Sequence, residues 1–200
     1  MLFRLVTITL SILLLLGCTA PLVPVKYSQE ALITSSLPAY IEMNTGKVKG
    51  YSSSTLVYAG GVFVPVNSGP NPNLQFGHED QSVFIESLKS ELVGLDIIGS
   101  LAEDPENSLG ITVNFVQTEH FPNMQEYKII ATLLLSFGPL VQEHVYEVLS
   151  SEGDSFWKKI NTNAAQGKEK AAQKLIDQII PHIEAFIGVV LDTPTNDLRA

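Results

Sequence analysis

Ala172-Gln173-Lys174-Leu175-Ile176-Asp177-Gln178-Ile179-Ile180-Pro181-His182-Ile183-Glu184-Ala185-Phe186-Ile187 is the most strongly periodic stretch of the chain. Ala172, Leu175, Ile176, Ile179, Ile180, Ile183, Phe186 and Ile187 recur at helical spacing and form one apolar stripe. Lys168, Lys170, Lys174, Asp177 and Glu184 fall off that stripe, so they are expected on the solvated side. Thr162 or Asn163 is suited to cap the start. Pro181 lacks a donor and crowds the carbonyl four residues back, which predicts a kink inside the helix. A helix with one such stripe needs a partner layer.

The partner layer is legible upstream. Ile111, Val113 and Phe115 alternate with Thr112 and Asn114, the pattern of a half-buried strand. Apolar runs at 95–101, 109–118, 127–137 and 140–149 are separated by Asp104-Pro105-Glu106-Asn107, Pro122-Asn123 and Gly138-Pro139. Such turn-forming breaks predict antiparallel hairpins. Between Lys47 and Val66 lie more strand formers, with Gly60-Gly61 marking a bulge or a break. Phe84, Leu88 and Leu92 recur every four residues and predict a first helix over 79–93, with Asp80 as its cap and Gly94 as its stop. The order strand, helix, strands, helix predicts an α+β domain: a largely antiparallel sheet with two helices packed on one face.

The N-terminus carries a different message. Arg4 is followed by an apolar run from Leu5 to Leu16, too short for a bilayer span of about 20 residues and suited to a cleaved export signal. Leu15-Leu16-Gly17-Cys18 resembles the lipobox of bacterial lipoproteins, and Cys18 is the chain's single cysteine. That resemblance implies cleavage between Gly17 and Cys18 and a diacylglyceryl group on the Cys18 sulfur. Buried acyl chains contribute about 0.8 kcal/mol per methylene, so two or three chains make a firm anchor. Thr19, standing where inner-membrane retention favours Asp, implies the periplasmic face of the outer membrane. An ordinary cleaved signal with an unrelated cysteine is the competing reading. The chain then divides into a signal peptide (1–17), a lipidated cysteine with a flexible tether (18–40), one α+β domain (41–190) and a polar tail (191–200).

The formal charge of −9 becomes about −10 once Arg4 is removed, which argues against nucleic acid as a partner. No chemistry-bearing motif stands out. His78, His120, His144 and His182 lack a second His or Cys at zinc-ligand spacing. His78-Glu79-Asp80 reads as the acidic first turn of a helix rather than a cation site. No Gly-x-Ser-x-Gly elbow occurs, and Gly60-Gly61 lacks phosphate-loop spacing. Asp104/Glu106 and Glu152/Asp154 sit in turn-like stretches where solvated carboxylates are ordinary. No enzyme, cofactor or metal is therefore expected.

Phe156-Trp157 beside Lys158-Lys159 is a candidate partner contact, weighed against one ring simply packing under the last helix. Lipobox, tether and element order together resemble small outer-membrane lipoproteins of the YajG-like kind and, more distantly, auxiliary lipoproteins of transport systems. The resemblance implies a non-enzymatic binding or assembly module, attached to the membrane through Cys18 and working with another envelope protein. A small-ligand or lipid-binding lipoprotein of a transport system is the alternative, and a hydrolase comes third.

Overall fold

The computed structural model describes residues 21–51, 53–59, 62–68, 74–121, 126–152, 154 and 163–193. The alternation in the middle of the chain does form strands. β6 (Leu109–Phe121), β7 (Glu126–Phe137) and β8 (Leu140–Leu149) make an antiparallel meander. Ile111 faces Leu135, Val113 faces Leu133, and Ile129 faces Val148 across the ladders, all of them buried. A register shift between Phe115 and Gln117 makes a bulge that turns Val116 outward.

The other edge of the sheet departs from the hairpin expectation. β1 (Pro38–Asn44) and β2 (Lys47–Gly50) run parallel to β6, end to end along the same side of it. β5 (Ser100–Leu101) pairs in parallel with the start of β1. The six-stranded sheet is thus mixed, though mostly antiparallel. Parallel neighbours need a long crossover, and here it holds a separate hairpin and the first helix. β3 (Ser53–Ala59) and β4 (Val62–Ser68) form that hairpin, with Ala59 opposite Val62; Gly60 and Gly61, where a bulge or break is expected, lie outside the described residues. Gly46, between β1 and β2, passes so close to the bulge that a Cβ there would sit 1.8 Å from the Phe115 carbonyl oxygen. Only glycine fits at that crossing.

Residues 95–101, expected to be a strand, contribute only β5. Ile97 and Ile98 are buried, but their N–H groups both donate to the Leu92 carbonyl at 3.0 and 3.2 Å. Asp96 turns the chain with a left-handed φ of 56°, a conformation aspartate tolerates better than most residues. Apolar content alone does not separate such a buried turn from a strand.

α1 (His78–Gly94) buries Phe84, Leu88 and Leu92, the predicted stripe. Gly77 rather than Asp80 is the cap; Asp80 is the third helical residue, and its carboxylate reaches back to accept the Gly77 N–H at 3.1 Å. α2 (Ala164–Asp192) runs through Pro181 and lies against β7 and β8. Asn163 caps it: its Oδ1 accepts the Gln166 N–H at 2.9 Å, while Gln166 Oε1 accepts the Asn163 N–H. Two residues assigned to the solvated side of α2 are instead buried, Lys168 and Glu184, each 2% exposed.

Lys168 is buried against Asp80 of α1, and Glu184 under the segment before β1. Residues expected to form a flexible tether lie docked along both helices from Leu22 to Leu37. The Leu22 N–H donates to Asp80 Oδ1 (2.9 Å), the Val25 N–H to Ser87 Oγ (3.3 Å) and the Tyr27 N–H to Glu91 Oε2 (3.0 Å), all on α1. The Ser28 N–H donates to Asp177, and the Leu32 and Ile33 N–H groups to Glu184, on α2. Leu22, Val25 and Tyr27 point inward and join the core. A single extended strap bound by helix side chains shows no period of its own, which is why it read as a linker.

Candidate functional site

Both helices begin at the same end of the molecule. The Lys168 ammonium near the start of α2 lies 2.8 Å from Asp80 Oδ2 near the start of α1. Both side chains are almost fully buried, and Asp80 also accepts the Leu22 and Gly77 N–H groups. Three donors around one carboxylate offset much of what its burial costs. The β6–β7 end joins the same cluster. The Tyr127 hydroxyl donates to the Leu74 carbonyl, and its ring stacks on His120 with centroids 4.6 Å apart. Burial, and then the nearby Asp80 charge, push the Tyr127 phenol well above its ordinary pKa, so it stays protonated and keeps the hydrogen it donates. The Ser150 Oγ accepts the Tyr127 N–H and Thr118 Oγ1 donates to the Phe76 carbonyl, which fixes the segment entering α1. This end is a rigid polar clasp, and the strap enters it at Leu22.

A second cluster unites residues far apart in sequence. His144 on β8 and His182 on α2 stack with ring centroids 4.0 Å apart. His182 Nδ1 lies 3.0 Å from the Gln178 carbonyl, which can only accept, and 2.9 Å from the Tyr146 hydroxyl. The Gln178 contact needs a proton on Nδ1, whereas a Tyr146 hydroxyl that donates needs Nδ1 bare, so the two contacts call for opposite tautomers. His144 Nε2 is buried without a hydrogen-bond partner. Desolvation, and then the neighbouring His182, hold the His144 pKa below 6.5.

This pair makes stability pH-dependent with a defined sign. A depressed histidine pKa means the unfolded chain binds more protons, so this contribution is fully present above pH 6.5 and declines as pH falls through that value. The urea midpoint is expected to drop between pH 7.5 and 5.5. His144→Phe, which keeps a ring on His182, should show a smaller drop. An equal or larger drop in the variant would place the titration elsewhere.

His78 opens α1 and is exposed, whereas His120 is buried, so the four histidines do not converge. Among the described residues no group of three or more His, Cys, Asp or Glu side chains is placed to hold a metal ion. Gly17, Cys18, Phe156 and Trp157 lie outside the described residues.

Sequence reasoning also passed over β8. It ends the strand order of the main sheet and pairs, among the described residues, only with β7. Val141 and Val145 are 61% and 69% exposed and alternate with Glu143 and Glu147. Lys128 on β7 reaches Glu147 at 2.6 Å. Glu143 and Glu147 are the charges on this edge strand of ten residues, which has no proline, lysine or bulge against strand addition.

No protein-family model and no curated protein matches this sequence. The structure is similar to the crystal structure of protein XCC0632 from Xanthomonas campestris, attributed to the family model DUF330: TM-score 0.50 and 11% identity over 86% of this chain and 98% of that one. A crystal structure of an uncharacterized protein is a looser match, with TM-score 0.40 and 14% identity over 81% of this chain and 99% of that chain. At such low identity the likeness to XCC0632 concerns the fold, which this chain shares across nearly all of that protein's length.

Proposed function

We propose that this chain is an outer-membrane lipoprotein of the YajG-like kind, acylated on Cys18 and facing the periplasm. Its domain works there as a non-enzymatic binding module for another envelope protein. The anchoring rests on Leu15-Leu16-Gly17-Cys18 and the short apolar run before it. Among the described residues no helix is long and apolar enough to cross a membrane.

The observation that carries the binding role is the β8 edge, which among the described residues pairs only with β7. Both helices cover one face of the sheet in this reading, and the other face stays open to a partner. That open face presents Thr112, Ile130, Thr132 and Leu134 beside Val141 and Val145. A partner segment adds as a further strand: backbone groups of β8 supply hydrogen bonds, and the valines supply apolar contact. Glu143 and Glu147 favour a partner strand with basic side chains.

The test places a photo-crosslinking amino acid at Val145 and irradiates intact cells. A discrete adduct with a second envelope protein, lost when Val141 becomes Lys, is the expected result. An adduct with another copy of this chain, or no adduct at all, overturns the partner assignment. In the same strain, Cys18→Ala should move the protein from the membrane to the soluble fraction and remove the acyl mass. A wild type that is soluble and unacylated sinks the anchoring.

A further inference from the structure

β8 offers an incoming strand a defined set of backbone groups. Gly138 and Pro139 form a two-residue turn between Phe137 and Leu140, and Gly138 takes the positive φ of 55° that such turns use. In a hairpin of this kind the flanking pair is hydrogen-bonded, and bonded pairs then recur at every second residue. Leu140, Gln142, His144, Tyr146 and Val148 therefore point their N–H and C=O groups at β7. Val141, Glu143, Val145 and Glu147 point theirs to the free edge, and their side chains share the open face of the sheet.

The two carboxylates on that face are not equivalent. Glu147 lies 2.6 Å from the Lys128 ammonium, and Lys174 donates to the Leu149 carbonyl just beyond it. Glu143 stands opposite half-buried Leu134, between exposed Val141 and Val145. It pairs with no cation among the described residues. Glu147 is already neutralised, so a basic side chain gains more opposite Glu143. The other side of an added strand meets α2. Lys174 and His182 reach β8 from one flank of that helix, and Ala185 and Val189 share the flank by helical period. Both are exposed there, so residues pointing that way must be small and uncharged to lie against them.

We infer that the partner segment added to β8 reads apolar, small, Lys or Arg, small, apolar, with its basic residue opposite Glu143. This rests on the strand addition proposed above. A slip of one residue would turn the basic side chain toward α2, and a slip of two would set it opposite a valine. The five-residue pattern reads the same in both directions, so it fixes the register of the added strand and not its polarity.

The test uses isotope-labelled full-length protein in nanodiscs and two capped peptides, Thr-Val-Ala-Lys-Ala-Val-Thr and its counterpart with Glu at the centre. The Lys peptide is expected to shift the amide resonances of Val141, Glu143 and Val145 and to bind about tenfold more tightly than the Glu peptide. Glu143→Gln should remove that preference, whereas Glu147→Gln should leave it. Both side chains are exposed, so both variants keep the fold. Equal affinity for the two peptides overturns the inference and leaves strand addition standing. So does a preference that survives Glu143→Gln or is lost in Glu147→Gln. No shift on β8 with either peptide refutes strand addition itself, and the inference with it. If β8 resonances move with protein concentration before peptide is added, a second copy takes the edge, and the assignment to a partner segment is overturned.

Discussion

Lys168→Met is expected to cost about 3–5 kcal/mol of folding stability, because it leaves the Asp80 carboxylate buried without its cation. Two backbone N–H groups remain on Asp80, so the lower half of that range is the better expectation. The useful comparison is Lys89→Met. Lys89 also lies 2.8 Å from a carboxylate, that of Glu86, three residues earlier on α1. Equal distance does not mean equal energy here. The Glu86 side chain is 71% exposed and the Asp80 side chain 8%, so water screens one pair and is excluded from the other. Loss of the exposed pair should change stability by about 0.2–0.5 kcal/mol. Urea unfolding of both variants reads the contrast directly, through the midpoint at constant slope. If Lys168→Met falls within about 0.5 kcal/mol of Lys89→Met, the clasp is open to water.

The same pair shows where sequence reading stops. Ala172 to Ile187 and Phe84, Leu88 and Leu92 declare their helices because each buries a single face against one layer. Ile111, Val113 and Phe115 declare a strand for the same reason. Lys168 and Glu184 mislead because other bodies cover the side of α2 that the stripe leaves polar: Asp80 of α1 meets Lys168, and the strap meets Glu184. The carboxylates that look solvated are the acceptors for strap N–H groups. Two-body burial of this kind leaves no period in either segment. The parallel placement of β1 and β2 is equally silent, since a turn signal predicts the next strand and not a distant one. His144 and His182 lie 38 positions apart on different elements, and nothing local marks them as neighbours. The exposed β8 edge was hidden for another reason: alternation says which face is buried, but strand order decides which strand is last.

Phe84→Ala is expected to match the Lys168 variant in size, at about 3–5 kcal/mol, by a different mechanism. Phe84 is fully buried and meets Phe115 edge-on, with centroids 5.7 Å apart and rings at 83°. Phe115 in turn lies 6.1 Å from Phe76, so three rings join α1, β6 and the segment before α1. Removing the Phe84 ring loses its transfer free energy and leaves a cavity between helix and sheet, beside Phe115. The strap should report the damage unevenly. Val25 and Tyr27 hang from Ser87 and Glu91 on α1, whereas Leu32 and Ile33 hang from Glu184 on α2. Hydrogen exchange should therefore accelerate more at the first pair of amides than at the second, because α1 loosens while α2 stays on β7 and β8. Val145→Ala serves as the control. That side chain is 69% exposed on β8, and its loss should stay within about 0.5 kcal/mol of zero. Equal acceleration at all four strap amides would mean that the two helices and the strap open as one unit. The strap would then be a part of the core that unfolds only with the domain, and its slack could not be released without losing the fold.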